Sequence, residues 1–186
     1  GKMFDDAWLA NPQSTQGLFR LNAQMAQRGR DWERESHLEC FVPGEGRVLS
    51  QDLGIRIHGA SSRFWSLKSL RLYPRGSYGA SRIEYPFFET DPISEVSPRT
   101  DEFEYLILSS GGSSAAGNRL REPLQHRLVA PLGLDGSAHR LAVHLINGEY
   151  WGVTNIRERI GKSYFEEYYD ANPEDTAILV GDGKPY

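Results

Sequence analysis

The stretch "HRLAVHLINGEYWGVTNIRERI", residues 139–160, decides how the rest of the chain is read. Two runs of alternating apolar and polar residues flank Asn147-Gly148. Asn-Gly between two such runs is the strongest short code for a two-residue hairpin, the type I′ turn. In the second strand, a period of two puts Trp151, Val153, Asn155 and Arg157 on one face. Gly152, Thr154, Ile156, Glu158 and Ile160 take the other, so Glu158 sits among isoleucines.

Working outward from the hairpin, "ESHLECFVP" (35–43) and "DLGIRIHG" (52–59) read as strands joined through the turn-rich "GEG". "SLKSLRLYP" (66–74) is a third strand ended by Pro74, and "EFEYLILSS" (102–110) a buried one. Gly76 to Arg99 reads as an ordered but irregular connection. "GGSSAAGN" (111–118) is a flexible lead into a helix, "RLREPLQHRLVAPLG" (119–133). Leu120, Leu124, Leu128 and Leu132 recur every four residues there and are expected on its core face. Pro123 fits only a first turn, so the helix is expected to start near Arg121 or Glu122 and to stop at Gly133. "KSYFEEYYD" (162–170) reads as a short helix, and residues 14–28 as another, broken near Gly17 and stopped at Gly29. Strands, helix, hairpin and helix in this order predict an α+β fold with a largely antiparallel sheet. Residues 1–34 are expected to be an N-terminal helical or extended segment, and 35–186 the domain proper.

The chain has 186 residues, 39% of them hydrophobic and 25% charged, which is the composition of a folded chain and not of a disordered one. A net charge of -4 supplies no basic field, so nucleic acid is not an expected partner. No run approaches the roughly 18 apolar residues of a membrane span, and none reads as a signal peptide. The opening "GKMFDD" leaves room for an export signal ahead of it. Cys40 is the one cysteine, which rules out an internal disulfide framework and reads as a small core residue. Histidines 37, 58, 126, 139 and 144 show no metal-ligand spacing, and no G-x-S-x-G elbow is present. No metal ligand and no catalytic residue is assigned.

Two constellations carry possible chemistry. In "SLKSLRL", Lys68 shares a face with Leu70 and Leu72, and a lysine aimed at a core is costly unless an anion meets it. Lys68 and Glu158, each on an apolar face, invite pairing; the plainer readings are a structural salt bridge or a lysine snorkelling to the sheet edge. The second is the loop "HGASSR" (58–63). Gly59 permits close backbone approach, Ser61 and Ser62 add hydroxyls and Arg63 a charged fork, a fair phosphate cradle that matches no nucleotide motif. An ordinary glycine-serine turn is the alternative.

Taken together, "WERE", "SQDLGIRIHGASSRFWSLKSLRLYPR", "YPFFETD", "LREPLQHRLVAPLG" and above all "LINGEYWGVTNIRERIGKSYFEEYY" resemble the CotH-type (spore coat protein H) atypical protein kinases. The pieces run in the family's order from about Trp32 to Tyr169. The resemblance implies a lobe like the N-terminal lobe of a protein kinase, using ATP and magnesium to phosphorylate a secreted, coat or surface protein. It also implies an extracellular or cell-surface location. Lys68 matches the lysine that contacts the nucleotide phosphates, and Gly59, Ser61, Ser62 and Arg63 fall in the phosphate-covering loop. Glu122 lies on the helix that carries the lysine's partner in kinases, and Glu158 matches the recurrent glutamate of "RERI". The resemblance favours Glu122 for the pairing and Glu158 for the nucleotide edge or hinge.

The chain departs from the family's pattern at Leu67, Leu70 and the "SSGG" after the buried strand. The family's catalytic base and magnesium ligands belong to a C-terminal part expected beyond Tyr186. The chain alone is therefore not expected to transfer phosphate. The competing reading is a non-catalytic structural or surface-interaction module on the same fold, its aromatic-rich stretches serving as a contact face.

Overall fold

A computed structural model describes residues 27–64, 67–91, 100–111, 119–180 and 184–185. A 3-10 turn (Arg30–Trp32) leads into strand β1 (Arg34–Val42), which turns back into β2 (Gly46–His58). After a second 3-10 turn (Ser61–Phe64) comes β3 (Ser69–Tyr73), ended by Pro74 as the sequence suggests. Two short strands, β4 (Ile83–Glu84) and β5 (Glu102–Phe103), form a ribbon of their own. Then follow β6 (Leu106–Ser109), helix α1 (Arg121–Val129), β7 (His139–Ile146), β8 (Glu149–Glu158) and helix α2 (Lys162–Tyr169). A last small ribbon pairs β9 (Leu179–Val180) with β10 (Lys184–Pro185).

The main sheet has six strands in the order β1-β2-β3-β6-β8-β7, each neighbouring pair antiparallel. The fold is thus α+β, as expected. Asn147 and Gly148 both have positive φ, 52° and 81°, the signature of the type I′ turn the sequence encodes.

One face of the sheet is the core. Ile57, Leu70, Leu72, Leu106, Leu108 and Ile156 lie on it, and Ile83, Phe87, Phe88 and Phe103 cover them. Phe88 and Phe103 meet edge to face with ring centroids 5.3 Å apart. The irregular connection after β3 therefore has a job: it delivers the aromatic lid. Asp91 closes it, accepting the His139 N–H at 2.6 Å, with Arg127 3.4 Å from its other oxygen. Cys40 is partly buried against the same core, and burial pushes its thiol up to about 11.

Three expectations change. "EFEYLILSS" is not one strand: Phe103 pairs with Ile83 in the lid, and only Leu106–Ser109 join the main sheet. The second strand begins at Gly46, well before Asp52. The larger correction concerns α1. Leu120, Leu124, Leu128 and Leu132 are not its core face; they are 50%, 55%, 65% and 73% exposed. The helix lies on the sheet face away from the core, where it buries Pro123 and meets Arg157 and His139. Glu122 pairs with Arg157, and the His126 and His139 rings lie 5.2 Å apart. Residues 14–26 of the expected N-terminal helix, and 112–118 of the lead into α1, lie outside the described residues; Gln27 and Arg28 are not helical.

Candidate functional site

The site forms at the end of the sheet where β2 and β3 part. His58↔Ser69 is their last rung. Beyond it the chain turns at Gly59, whose φ of +113° is a conformation that side chains rarely adopt. A Cβ there would also collide with the Ser62 hydroxyl. The 3-10 turn that begins at Ser61 brings back Arg63, whose buried guanidinium donates to the carbonyls of Ile57 and Gln27. Lys68 follows directly before β3 and is fully buried. Burial, and secondarily the charge of Arg63, push its ammonium down to about 8. Arg63 itself is lowered to about 10 by burial and by Arg28. Ser69 anchors the strand start, its hydroxyl accepting the Ser110 N–H at 2.9 Å. Gly59, Ser62, Arg63 and Lys68 thus gather at one sheet end, as the sequence reading places them.

The two glutamates lie elsewhere. Strand register puts Glu158 in the row of Leu106 and Leu72, four positions along from Lys68, or about 13 Å at strand rise. There its carboxylate accepts the Tyr168 hydroxyl, and its backbone carbonyl accepts the Ser137 hydroxyl at 2.8 Å. Glu122, in the first turn of α1, is bound by Arg157 on the face opposite Glu158. The structure brings the loop and the lysine together, pairs Glu122 with Arg157 and sets the Glu158 carboxylate against the Tyr168 hydroxyl.

Sequence reasoning missed what stands next to the loop. A cavity of about 470 Å³ opens on the sheet face away from the core, with Arg28, Arg34, Arg56, Arg63 and Arg71 on its walls. Arg56 and Arg71 face each other across the β2–β3 rung. Both lie over the Tyr73 ring, 3.8 Å and 4.7 Å from its centroid, with Arg75 at 5.1 Å. Burial and the charges of Arg157, Arg71, Arg159 and Arg63 drive the imidazole of His58 down to about 3, so it is neutral. Alternation alone reads Arg56 and Arg71 as a solvated strand face. The signal that exposes them is register, which no local pattern supplies.

Guanidinium forks gather at this end of the sheet and the Lys68 ammonium lies within electrostatic reach of Arg63, groups whose chemistry suits phosphate oxygens. A magnesium ion is another matter. Among the described residues no three His, Cys, Asp or Glu side chains come together as a metal site. Among the described residues no helix is long and apolar enough to cross a membrane.

No curated protein matches the chain. The model of a family described as CotH kinase protein matches residues 55–185, which takes in the loop, Lys68, both glutamates and the hairpin. With most of its length covered by that match, the chain belongs to the CotH kinase family.

Proposed function

We propose that the chain is the nucleotide-binding lobe of a CotH-like kinase, with residues 35–186 as the lobe. It holds ATP through Gly59, Ser61, Ser62 and Arg63 above the phosphates and Lys68 beside them. The observation that carries this reading is a fully buried ammonium at the foot of a glycine-serine-arginine loop, within a chain of a kinase family. A desolvated lysine is costly to keep, and phosphoryl transfer needs a positioned cation that neutralises charge as it develops. Glu158 and Glu122 then act at one remove, holding the far end of β8 and α1 in place. On this reading the phosphate acceptor is a secreted, coat or surface protein, the setting is extracellular or cell-surface, and the chain by itself binds nucleotide without turning it over.

A thermal-shift titration with Mg-ATP tests this on the wild type and Lys68→Met. Ligand at a hundredfold its Kd stabilises by about 2.7 kcal/mol, so the wild type shifts by several degrees and the variant does not. A wild-type shift in folded Lys68→Met would sink the assignment of Lys68. A second reading, an interaction module without catalysis, is favoured by the exposed leucines of α1 and by Leu141, Val143 and Leu145 on β7. No shift in either folded protein moves that reading ahead.

A further inference from the structure

We propose that Ser50, His37 and Asp52, on the β1–β2 hairpin, form a second site in which Ser50 takes an acyl group from an ester and His37 serves as its base. None of the three enters the nucleotide reading, so the two can fail separately.

Strand register builds the group. His37 stands opposite Asp52 and Glu39 opposite Ser50, two rungs apart and therefore on one face of the sheet. Leu38, Cys40 and Leu49 alternate with them and pack against the core, which leaves the polar side chains exposed on the other face. There the Nδ1 of His37 lies 2.6 Å from Asp52 Oδ1, and its Nε2 lies 3.1 Å from Ser50 Oγ.

Donor chemistry sets the direction of this chain. A carboxylate only accepts hydrogen bonds, so Nδ1 carries the ring proton. In the neutral imidazole Nε2 is then the acceptor, and the Ser50 hydroxyl donates to it. Nucleophile, base and orienting carboxylate follow in the order by which a serine hydroxyl sheds its proton as it attacks.

The next rung adds what an attacked ester needs. On the side of Ser50 away from His37, Phe41 stands opposite Arg47, and Arg47 donates to Glu39 at 2.8 Å. A guanidinium beside the nucleophile can meet the charge that develops on an ester carbonyl oxygen. The Phe41 ring, 66% exposed, offers an apolar rest for the acyl or leaving group. The trio lies on an open strand face and lines no wall of the arginine cavity, which suits an ester carried on an extended or macromolecular donor.

In the step itself, Ser50 Oγ bonds to the carbonyl carbon while its proton passes to His37 Nε2. The bond to the leaving oxygen breaks, and that oxygen departs with the electron pair and takes the proton from His37. Water then attacks the acyl carbon, giving a proton to His37, and Ser50 leaves and recovers it.

Incubation of the 186-residue chain with p-nitrophenyl acetate, followed by peptide mass analysis, tests the proposal. The wild type is expected to release nitrophenol and to carry acetyl on Ser50. His37→Gln should slow release about 10²-fold. Asp52→Asn should lower kcat about tenfold or more with KM within about twofold, a split that a loss of folding would not give. Arg47→Gln should cost a few fold in kcat. All four side chains are exposed, so the variants stay folded, with thermal midpoints close to wild type as the check. Acetyl on Ser50 that disappears from folded His37→Gln supports the site. Release by folded Ser50→Ala at the wild-type rate, acetyl on His37 or on lysines alone, or no release above the rate in buffer overturns it.

Discussion

Glu33 shows how much one side chain can organise. Its carboxylate takes two hydrogen bonds from Arg75 and one from Tyr78 at 3.2 Å, and it lies 3.6 Å from Arg56. Burial works to raise its pKa, but the hydrogen bonds and charge of Arg75 outweigh that and hold it below the ordinary carboxylate range. A carboxyl depressed in the folded state contributes stability above its unfolded pKa and loses it as pH falls through the folded one. Glu33→Gln should therefore cost about 1–3 kcal/mol at neutral pH, and the gap from wild type should close in acid, as urea midpoints across pH will show. Gly54 is the other half of the arrangement: a Cβ there would sit 2.5 Å from the Glu33 carboxylate oxygen. Gly54→Ala is expected to destabilise by about 1–3 kcal/mol, and its effect should shrink in the Glu33→Gln background because both changes break the same fork. By residue pattern alone, "WERE" is a charge-mixed run. The role of Glu33 depends on Arg75 and Gly54, far along the chain, so no local pattern announces it.

At the scale of the element, α1 and the hairpin teach opposite lessons. The hairpin was legible because its information is local: Asn147 and Gly148 take the φ their residue types favour, and alternation in β8 sorts Thr154, Ile156 and Glu158 to the buried face. In α1 the same kind of pattern misled. A four-residue spacing of leucines says that a helix has an apolar side; it does not say that the core is there. The core face of the sheet was already covered by Phe87, Phe88 and Phe103, and α1 packs on the other face, against Arg157 and His139. Accordingly the double substitution of Leu124→Gln and Leu128→Gln should move stability by no more than about 0.5 kcal/mol per site, while Leu70→Ala in the core costs about 2–5 kcal/mol. Chemical denaturation of the three proteins decides this. A large loss from the α1 pair would mean that those leucines are covered in solution.

Across the whole molecule, bulk composition hides the candidate site. A net charge of -4 is an average, and it conceals five arginines on one cavity wall. The lysine and its loop were readable because a period of two and a short glycine-serine run mark them locally. The arginines were not, because their proximity is made by pairing β2 with β3. That pairing also bears on how the chain reaches its fold. The β3–β6 contact is three rungs wide, Leu70↔Leu108 to Leu72↔Leu106, and it joins two halves of the sheet, each built around a tight hairpin. Hairpins zip within microseconds, whereas the β3–β6 seam waits for the whole connection from Pro74 to Tyr105 to loop back. Pairing β6 with β8 needs a second long closure, across residues 110–138, so chain-closure entropy in the main sheet falls on the two pairings that β6 makes. Every described residue of the arginine cavity lies between Gln27 and Tyr73, on the near side of both closures. The pocket belongs to a contiguous stretch of chain that can take shape before the sheet is whole.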